Sequence, residues 1–210
     1  GIVRSRFEFI GVNKDKFIFQ SEEVSQDLKQ KNASGEYQEI RTYTIWSTDG
    51  SVSGTQQILK FPEETHFSPN APVIVNDYLY FFLAKEGFYK LNLVKPRRYE
   101  KIIAAPIGDE YYYFDYHFVG IQDKYFYFFS TRLRNLFKTD GTSEGSKFIP
   151  IGDEVSYVTG RYGRKVAVIN DDFFFFSGKG ADNSLWKMST HTGSISQVVN
   201  ELPKNTDNYP

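Results

Sequence analysis

The sequence predicts an all-β chain, a β-propeller of four-stranded antiparallel blades. Three observations predict it: an aromatic-rich composition, a polar turn followed by an aromatic run that recurs four times, and a second aromatic anchor that keeps step with the first. Aromatic residues make up 18% of the 210 positions, with 20 Phe and 15 Tyr, a bias that suits pleated, half-buried strands. The turn-and-run element occurs at Asn13-Lys14-Asp15-Lys16-Phe17-Ile18-Phe19, at Asn76-Asp77 before Tyr78 to Phe82, at Gln122-Asp123-Lys124 before Tyr125 to Phe129, and at Asn170-Asp171-Asp172 before Phe173 to Phe176. The second anchor follows as Ile45-Trp46, Phe88-Tyr89, Leu136-Phe137 and Leu185-Trp186. The turn-and-run elements start 63, 46 and 48 residues apart, and a recurring unit of this size is the mark of a repeat architecture.

Each unit offers four short β-like runs. The first precedes the polar turn: Phe7 to Val12, Pro72 to Val75, His117 to Ile121 and Lys165 to Ile169. The second is the aromatic run. A strand covered on both faces need not alternate polar with apolar, so Phe173 to Phe176 can fill two inter-blade layers. The third carries the anchor. The fourth holds an apolar residue twelve or thirteen positions after the anchor aromatic: Ile58, Ile102, Ile149 and Val198. Asn and Asp between the first and second runs tolerate positive φ, which predicts tight hairpins and hence a meander. Such units, repeated, predict blades. The repeats span about 6–60, 71–104, 116–150 and 164–200 of a single propeller domain or propeller fragment over 1–210. The alternative reading of the same runs is a β-sandwich, which does not require matching registers.

Between the third and fourth runs stand Asp49-Gly50-Ser51-Val52-Ser53-Gly54 and Asp140-Gly141-Thr142-Ser143-Glu144-Gly145, whose glycines permit chain reversal. Units two and four replace this turn with Asn92 to Arg98 and with Ser189 to Gly193, and read as degenerate copies. With their anchors, the segments Ile45 to Thr55 and Leu136 to Ser146 resemble the bacterial ELWxxDGT repeat, the match resting on Trp46, Asp49 and Gly50 and on Phe137, Asp140 and Gly141. Unit four keeps Leu185-Trp186-Lys187, unit two only the aromatic position, and neither strong copy has the leading Glu. The resemblance implies β-propellers of exported or cell-surface bacterial proteins, often with many repeats and with no shared enzymatic activity. It carries over structural positions, among them Trp186, and no catalytic residue.

Composition excludes several classes. The formal charge is −1, from 25 basic and 26 acidic residues, so no global field would hold a nucleic acid or an acidic membrane. The chain has no Cys, which removes disulfide frameworks, thiolate zinc sites and cysteine nucleophiles together. No apolar run reaches membrane-span length, and the start Gly1-Ile2-Val3 lacks a signal-peptide profile, so the chain reads as not membrane-spanning and as trimmed or excerpted. The tail 200–210 resembles an inter-unit linker, and further repeats of the same polypeptide are the expected neighbours.

The one large departure from the repeat is residues 21–41 of unit one, with Glu22-Glu23, Gln26 to Lys31 and Asn32-Ala33-Ser34-Gly35. It predicts a polar surface excursion with room for a helical turn: a tolerated insertion, or a recognition loop at one rim. Binding candidates are Tyr111, Tyr112, Tyr113 and His117, aromatic rings beside Asp115 that can stack on a sugar or a peptide, and Arg161, Tyr162 and Arg164, which can clamp an anion. Core packing and a solvated cationic turn are the competing readings. His66, His117 and His191 show no metal-ligand spacing, and no motif asks for a cofactor. The function favoured is a noncatalytic binding or scaffold module with a protein or carbohydrate partner. The alternative is a glycan-active hydrolase or lyase with a carboxylate-lined central pocket.

Overall fold

The computed structural model describes residues 2–31, 35, 37–61, 72–83, 86–96, 98–104, 116–130, 133–151, 166–177 and 184–199. They form sixteen strands and no helix, in four antiparallel sheets of four consecutive strands. Sheet 1 comprises β1 (Ile2–Asn13), β2 (Lys16–Lys31), β3 (Tyr37–Thr48) and β4 (Gln56–Lys60). Sheet 2 comprises β5 (Val73–Val75), β6 (Tyr78–Leu83), β7 (Gly87–Asn92) and β8 (Tyr99–Ala104). Sheet 3 holds β9 (Tyr116–Gln122), β10 (Tyr125–Ser130), β11 (Asn135–Thr139) and β12 (Lys147–Pro150). Sheet 4 holds β13 (Ala167–Ile169), β14 (Asp172–Ser177), β15 (Ser184–Ser189) and β16 (Ile195–Val199). The chain divides into two compact units, Gly1–Phe114 with sheets 1 and 2 and Asp115–Pro210 with sheets 3 and 4.

The polar turns do the work expected of them. Positive φ falls on Lys14, Asn76, Asp123, Asn170 and Asp171, one or two residues in each first hairpin. In sheet 1 it is Lys14, and not the neighbouring Asn13, that takes the left-handed conformation, which leaves the Asn13 side chain free to bond elsewhere. The apolar residue downstream of the anchor also acquires a structural meaning. In sheets 1, 2 and 4 the third and fourth strands slip by one residue beside the anchor, between Ile45 and Trp46, between Phe88 and Tyr89, and between Leu185 and Trp186. The extra residue is Ile58, Ile102 or Val198, so the position marks a β-bulge. Sheet 3 has no bulge there, and Ile149 pairs directly with Leu136.

Because side chains alternate across a strand, every sheet has two faces. The second-strand residues Phe19, Phe81, Phe128 and Phe175 face the anchor aromatics Trp46, Tyr89, Phe137 and Trp186 across the ladder and define a leading face. Ile18, Tyr80, Tyr127 and Phe174 lie on the opposite, trailing face. In the first unit the trailing face of sheet 1, with Ile18 and Ile45, packs on the leading face of sheet 2, with Leu79, Phe81, Tyr89 and Leu91, and Phe61 closes edge-on against Phe81 at 5.5 Å. In the second unit the trailing face of sheet 3, with Tyr127, Phe129 and Leu136, packs on Phe173, Phe175, Trp186 and Met188 of sheet 4. Both joints are trailing on leading. Burial of one such Phe contributes about 1.5 to 3 kcal/mol.

An amide side chain clips each joint. The Asn13 amide donates to the Asn76 carbonyl at 2.9 Å and to the Asp77 carboxylate at 3.3 Å. Gln122, at the same position of sheet 3, accepts from the Asp171 backbone N–H at 3.3 Å. Sheets 2 and 4 carry Val75 and Ile169 at this position, the last residue of the first strand.

The expectation of a loop with a helical turn at 21–41 is corrected. The segment extends β2 and β3, paired from Ser21↔Thr44 to Asp27↔Gln38 with a further pair at Lys31↔Tyr37, and β1 pairs along it as far as Ile2↔Ser25. The cause is a period of two: Gln20, Glu22, Val24 and Gln26 alternate with Ser21, Glu23 and Ser25, and each finds a cross-strand partner. Strand pairing satisfies the backbone groups that a helical turn would leave partly unmet.

Candidate functional site

The long strands of sheet 1, of 12 and 16 residues, outrun the strands of sheet 2, of 3 to 6 residues. On its trailing face, sheet 1 is therefore apolar where sheet 2 covers it, at Ile10, Ile18 and Ile45, and charged where it overhangs. The overhang carries Arg4, Arg6 and Glu8 from β1, Gln20, Glu22 and Val24 from β2, and Glu39, Arg41 and Tyr43 from β3, all placed on one face by the registers Arg4↔Val24↔Arg41 and Arg6↔Glu22↔Tyr43. Arg4, Ser5, Arg6, Glu22, Val24 and Arg41 line a groove of about 290 Å³. A cleft bounded by Arg6, Glu8, Gln20, Glu22 and Tyr43 continues it.

Most charges in the groove are already partnered. Glu22 Oε1 accepts from Arg41 Nη1 at 2.8 Å and from the Tyr43 hydroxyl at 3.2 Å. Glu39 accepts from Arg41 Nη2 at 3.0 Å and from Arg4 Nη2 at 3.3 Å, and Gln20 donates to Glu8 at 2.9 Å. Burial raises the Tyr43 phenol above its ordinary pKa, and the Glu22 charge adds to the effect. Burial opposes ionisation of Arg41, but the bonds and charges of Glu22 and Glu39 outweigh it and hold the guanidinium firmly protonated. Among the described residues, no hydrogen bond or ion pair engages the Arg6 guanidinium, which lines both parts of the groove. The Glu8, Glu22 and Glu39 carboxylates are thus committed to amide, guanidinium and phenol donors. The arrangement suits recognition of a polar, partly anionic surface.

The Asp-Gly turns are built alike in sheets 1 and 3. Gly50 N donates to Thr48 Oγ1 at 3.0 Å and Gly141 N to Thr139 Oγ1 at 2.9 Å. Ser51 N and Thr142 N donate to Asp49 Oδ1 and Asp140 Oδ1 at 2.9 and 3.0 Å, and the two hydroxyls do the same at 2.7 Å in both turns. Gly54 N and Gly145 N then bond Ser51 Oγ and Thr142 Oγ1, and Thr48 meets Thr55 as Thr139 meets Ser146. Gly50 and Gly141 hold φ of 93° and 86°. These aspartates are capping groups of a turn. Trp46 stacks on Phe19 at 6.3 Å and donates to Ser21 Oγ, Phe137 lies 4.6 Å from the Phe148 ring, and Trp186 packs against the core of the second unit.

Tyr111, Tyr112, Tyr113, Arg161, Tyr162, Arg164 and His66 lie outside the described residues. His117 sits in β9 opposite Phe129, partly buried, and His191 approaches Asp171 at 3.3 Å. Among the described residues no group of three or more His, Asp or Glu is placed to hold a metal ion, and no helix is long and apolar enough to cross a membrane. Lys138 is a polar residue the sequence reading passed over: it is buried in β11, with its ammonium 4.1 Å from the Tyr125 ring centre and 5.6 Å from that of Tyr127.

No family model matches the chain, and no curated protein matches it. Solved structures do. A crystal structure of HIRA(644-1017) superposes with a TM-score of 0.48 at 7% identity, over 95% of this chain and 54% of that one. A structural genomics protein of unknown function from Bacteroides thetaiotaomicron VPI-5482 gives 0.42 at 14% identity, over 86% and 46%. A chain of the nidogen/laminin complex gives 0.37 at 9% identity, over 95% and 64%. The chain thus spans less than two thirds of the length of each.

Proposed function

We propose that the chain is a noncatalytic interaction module of the β-propeller type, which grips an acidic segment of a protein partner in the groove of the sheet 1 overhang. The observation that carries this reading is the unengaged Arg6 guanidinium beside carboxylates that all have donors of their own. A partner carboxylate entering the groove meets a fork-shaped donor that makes no ion pair of its own among the described residues. The trailing-on-leading joints and the four meanders support blade packing, and the matching turns at Asp49 and Asp140 support kinship with ELWxxDGT repeats. That kinship in turn implies an exported or cell-surface protein.

The test is a paired array of acidic peptides and glycans probed with the whole chain, alongside an assay for release of reducing sugars. Saturable peptide binding that weakens about tenfold in Arg6→Ala and declines with salt supports the reading. Binding confined to glycans would replace the partner class, and any turnover of a glycan would overturn the noncatalytic assignment.

A further inference from the structure

We infer that the cleft continuing the groove is a subsite for a lysine ammonium, so that the acidic segment carries a lysine two residues from the acid that meets Arg6. The inference rests on the groove being the binding surface and names a second chemical requirement of its occupant. Its starting point is an amide oxygen without a partner. Gln20 is 3% exposed, and its Oε1 is buried with no hydrogen bond. Chemistry fixes the orientation of this amide. An ionised Glu8 can only accept, so Gln20 Nε2 must face it, as it does at 2.9 Å, and the oxygen is turned to the other side. A buried acceptor in this state is costly until a donor reaches it.

Gln20 lines the cleft together with Arg6, Glu8, Glu22 and Tyr43, and two more acceptors belong to the same walls. Glu8 uses Oε2 for Gln20, and Glu22 uses Oε1 for both Arg41 and Tyr43. Among the described residues, Glu8 Oε1 and Glu22 Oε2 accept no hydrogen bond. The cleft holds about 20 Å³, room for one water-sized group. A hydroxyl would bring one donor to these three oxygens, a water two, and a lysine ammonium three on a slender stem. The guanidinium fork of an arginine is too broad for the space. The charged lining is two acids against one base, Glu8 and Glu22 against Arg6, which favours a cation over a neutral donor. The like charge of Arg6 opposes it, and an acid bound to Arg6 removes that opposition, so the two subsites act together. Their rows are adjacent, Arg6↔Glu22 beside Glu8↔Gln20. Arg6 and Glu8 are successive residues on one face of β1, about 7 Å apart, which is also the spacing of alternate side chains in an extended segment.

The subsite is tested with the whole chain by titration calorimetry against four peptides of one length. Each carries the same acidic residue and, two positions away in either order, lysine, alanine, acetyl-lysine or arginine. The lysine peptide is expected to bind about tenfold more tightly than the alanine peptide, and the acetyl-lysine and arginine peptides no more tightly than alanine. The arginine peptide has the same charge as the lysine peptide, so it separates a fitted ammonium from general attraction. In Gln20→Leu the ratio of lysine to alanine affinity is expected to fall to about one, and in Glu8→Gln by about threefold or more. Each ratio is internal to one variant, and the unfolding midpoint checks that the variant is folded. Equal binding of the lysine and alanine peptides overturns the inference, as does an arginine peptide that matches lysine or a preference that survives Gln20→Leu; in these cases binding that still depends on Arg6 leaves the groove standing. A wild type that binds none of the four, or binding undiminished in Arg6→Ala, overturns the groove and the subsite with it.

Discussion

The carboxylate of Asp140 lies where a side chain at Gly145 would grow: a Cβ placed on Gly145 would stand 2.0 Å from Asp140 Oδ1. Gly54 has the same relation to Asp49, also at 2.0 Å. The second glycine of the motif is thus required by the aspartate five residues earlier. Gly145→Ala is expected to displace the carboxylate from Thr142 and to destabilise the chain by about 1 to 3 kcal/mol in denaturant titration. With Asp140→Ala already in place, the added cost of Gly145→Ala should fall well below its cost alone, since the clash has gone.

Gly87 opens β7 at φ +140°, and a Cβ there would meet the Ile103 carbonyl oxygen at 2.1 Å. That neighbour is backbone within the ladder and has little room to yield. Gly87→Ala is expected to cost more than Gly145→Ala, about 3 kcal/mol or above, and to lower the unfolding midpoint accordingly.

The pH dependence follows from the same turns. Hydrogen bonds from the Ser51 backbone and hydroxyl hold Asp49 below the ordinary carboxylate pKa. At Asp140 burial acts the other way, but the bonds from Thr142 and the Lys124 charge outweigh it and leave the pKa lowered. A depressed carboxylate contributes stability that is full above the unfolded value of about 4 and is lost as pH falls through the folded one. Thermal unfolding followed from pH 7 into the acid range should show a shallower loss of stability in D49N/D140N than in the wild type.

Lys138 has the opposite sign. Burial holds its pKa below the usual lysine value, against a raising influence from Asp171. In the window between the folded pKa and the ordinary lysine value of 10.5 the unfolded chain binds the extra proton, so stability rises with pH there. Lys138→Met is expected to raise the unfolding temperature at pH 7 and to flatten the alkaline rise, measured by calorimetry in matched buffers.

The hairpins and the anchor register were legible because short-range chemistry decides them: Asn and Asp set the turns, and aromatic residues at fixed offsets set the joints. The groove was not legible, because its charges come from three strands. Arg4 meets Glu39 and Glu22 meets Arg41 only through the register of the sheet. A signal was present in the alternation of Arg4, Arg6 and Glu8, of Gln20, Glu22 and Val24, and of Glu39, Arg41 and Tyr43, each with the period of a strand. The polarity of residues 21–41 masked it, since a strand whose charges pair across the ladder, as Glu22 does with Arg41, needs no apolar stripe to mark its face.

The amide clip at Asn13 and Gln122 is present in alternate sheets only. Deleting or inserting one sheet would set an amide against a neighbour without its matching turn, or leave an Asn-Asp turn opposite Val or Ile. Changes made two sheets at a time keep every bonded hairpin with its mate. The smallest piece that can be moved between positions in such an array without loss of these bonds is therefore a sheet together with its successor, eight strands long.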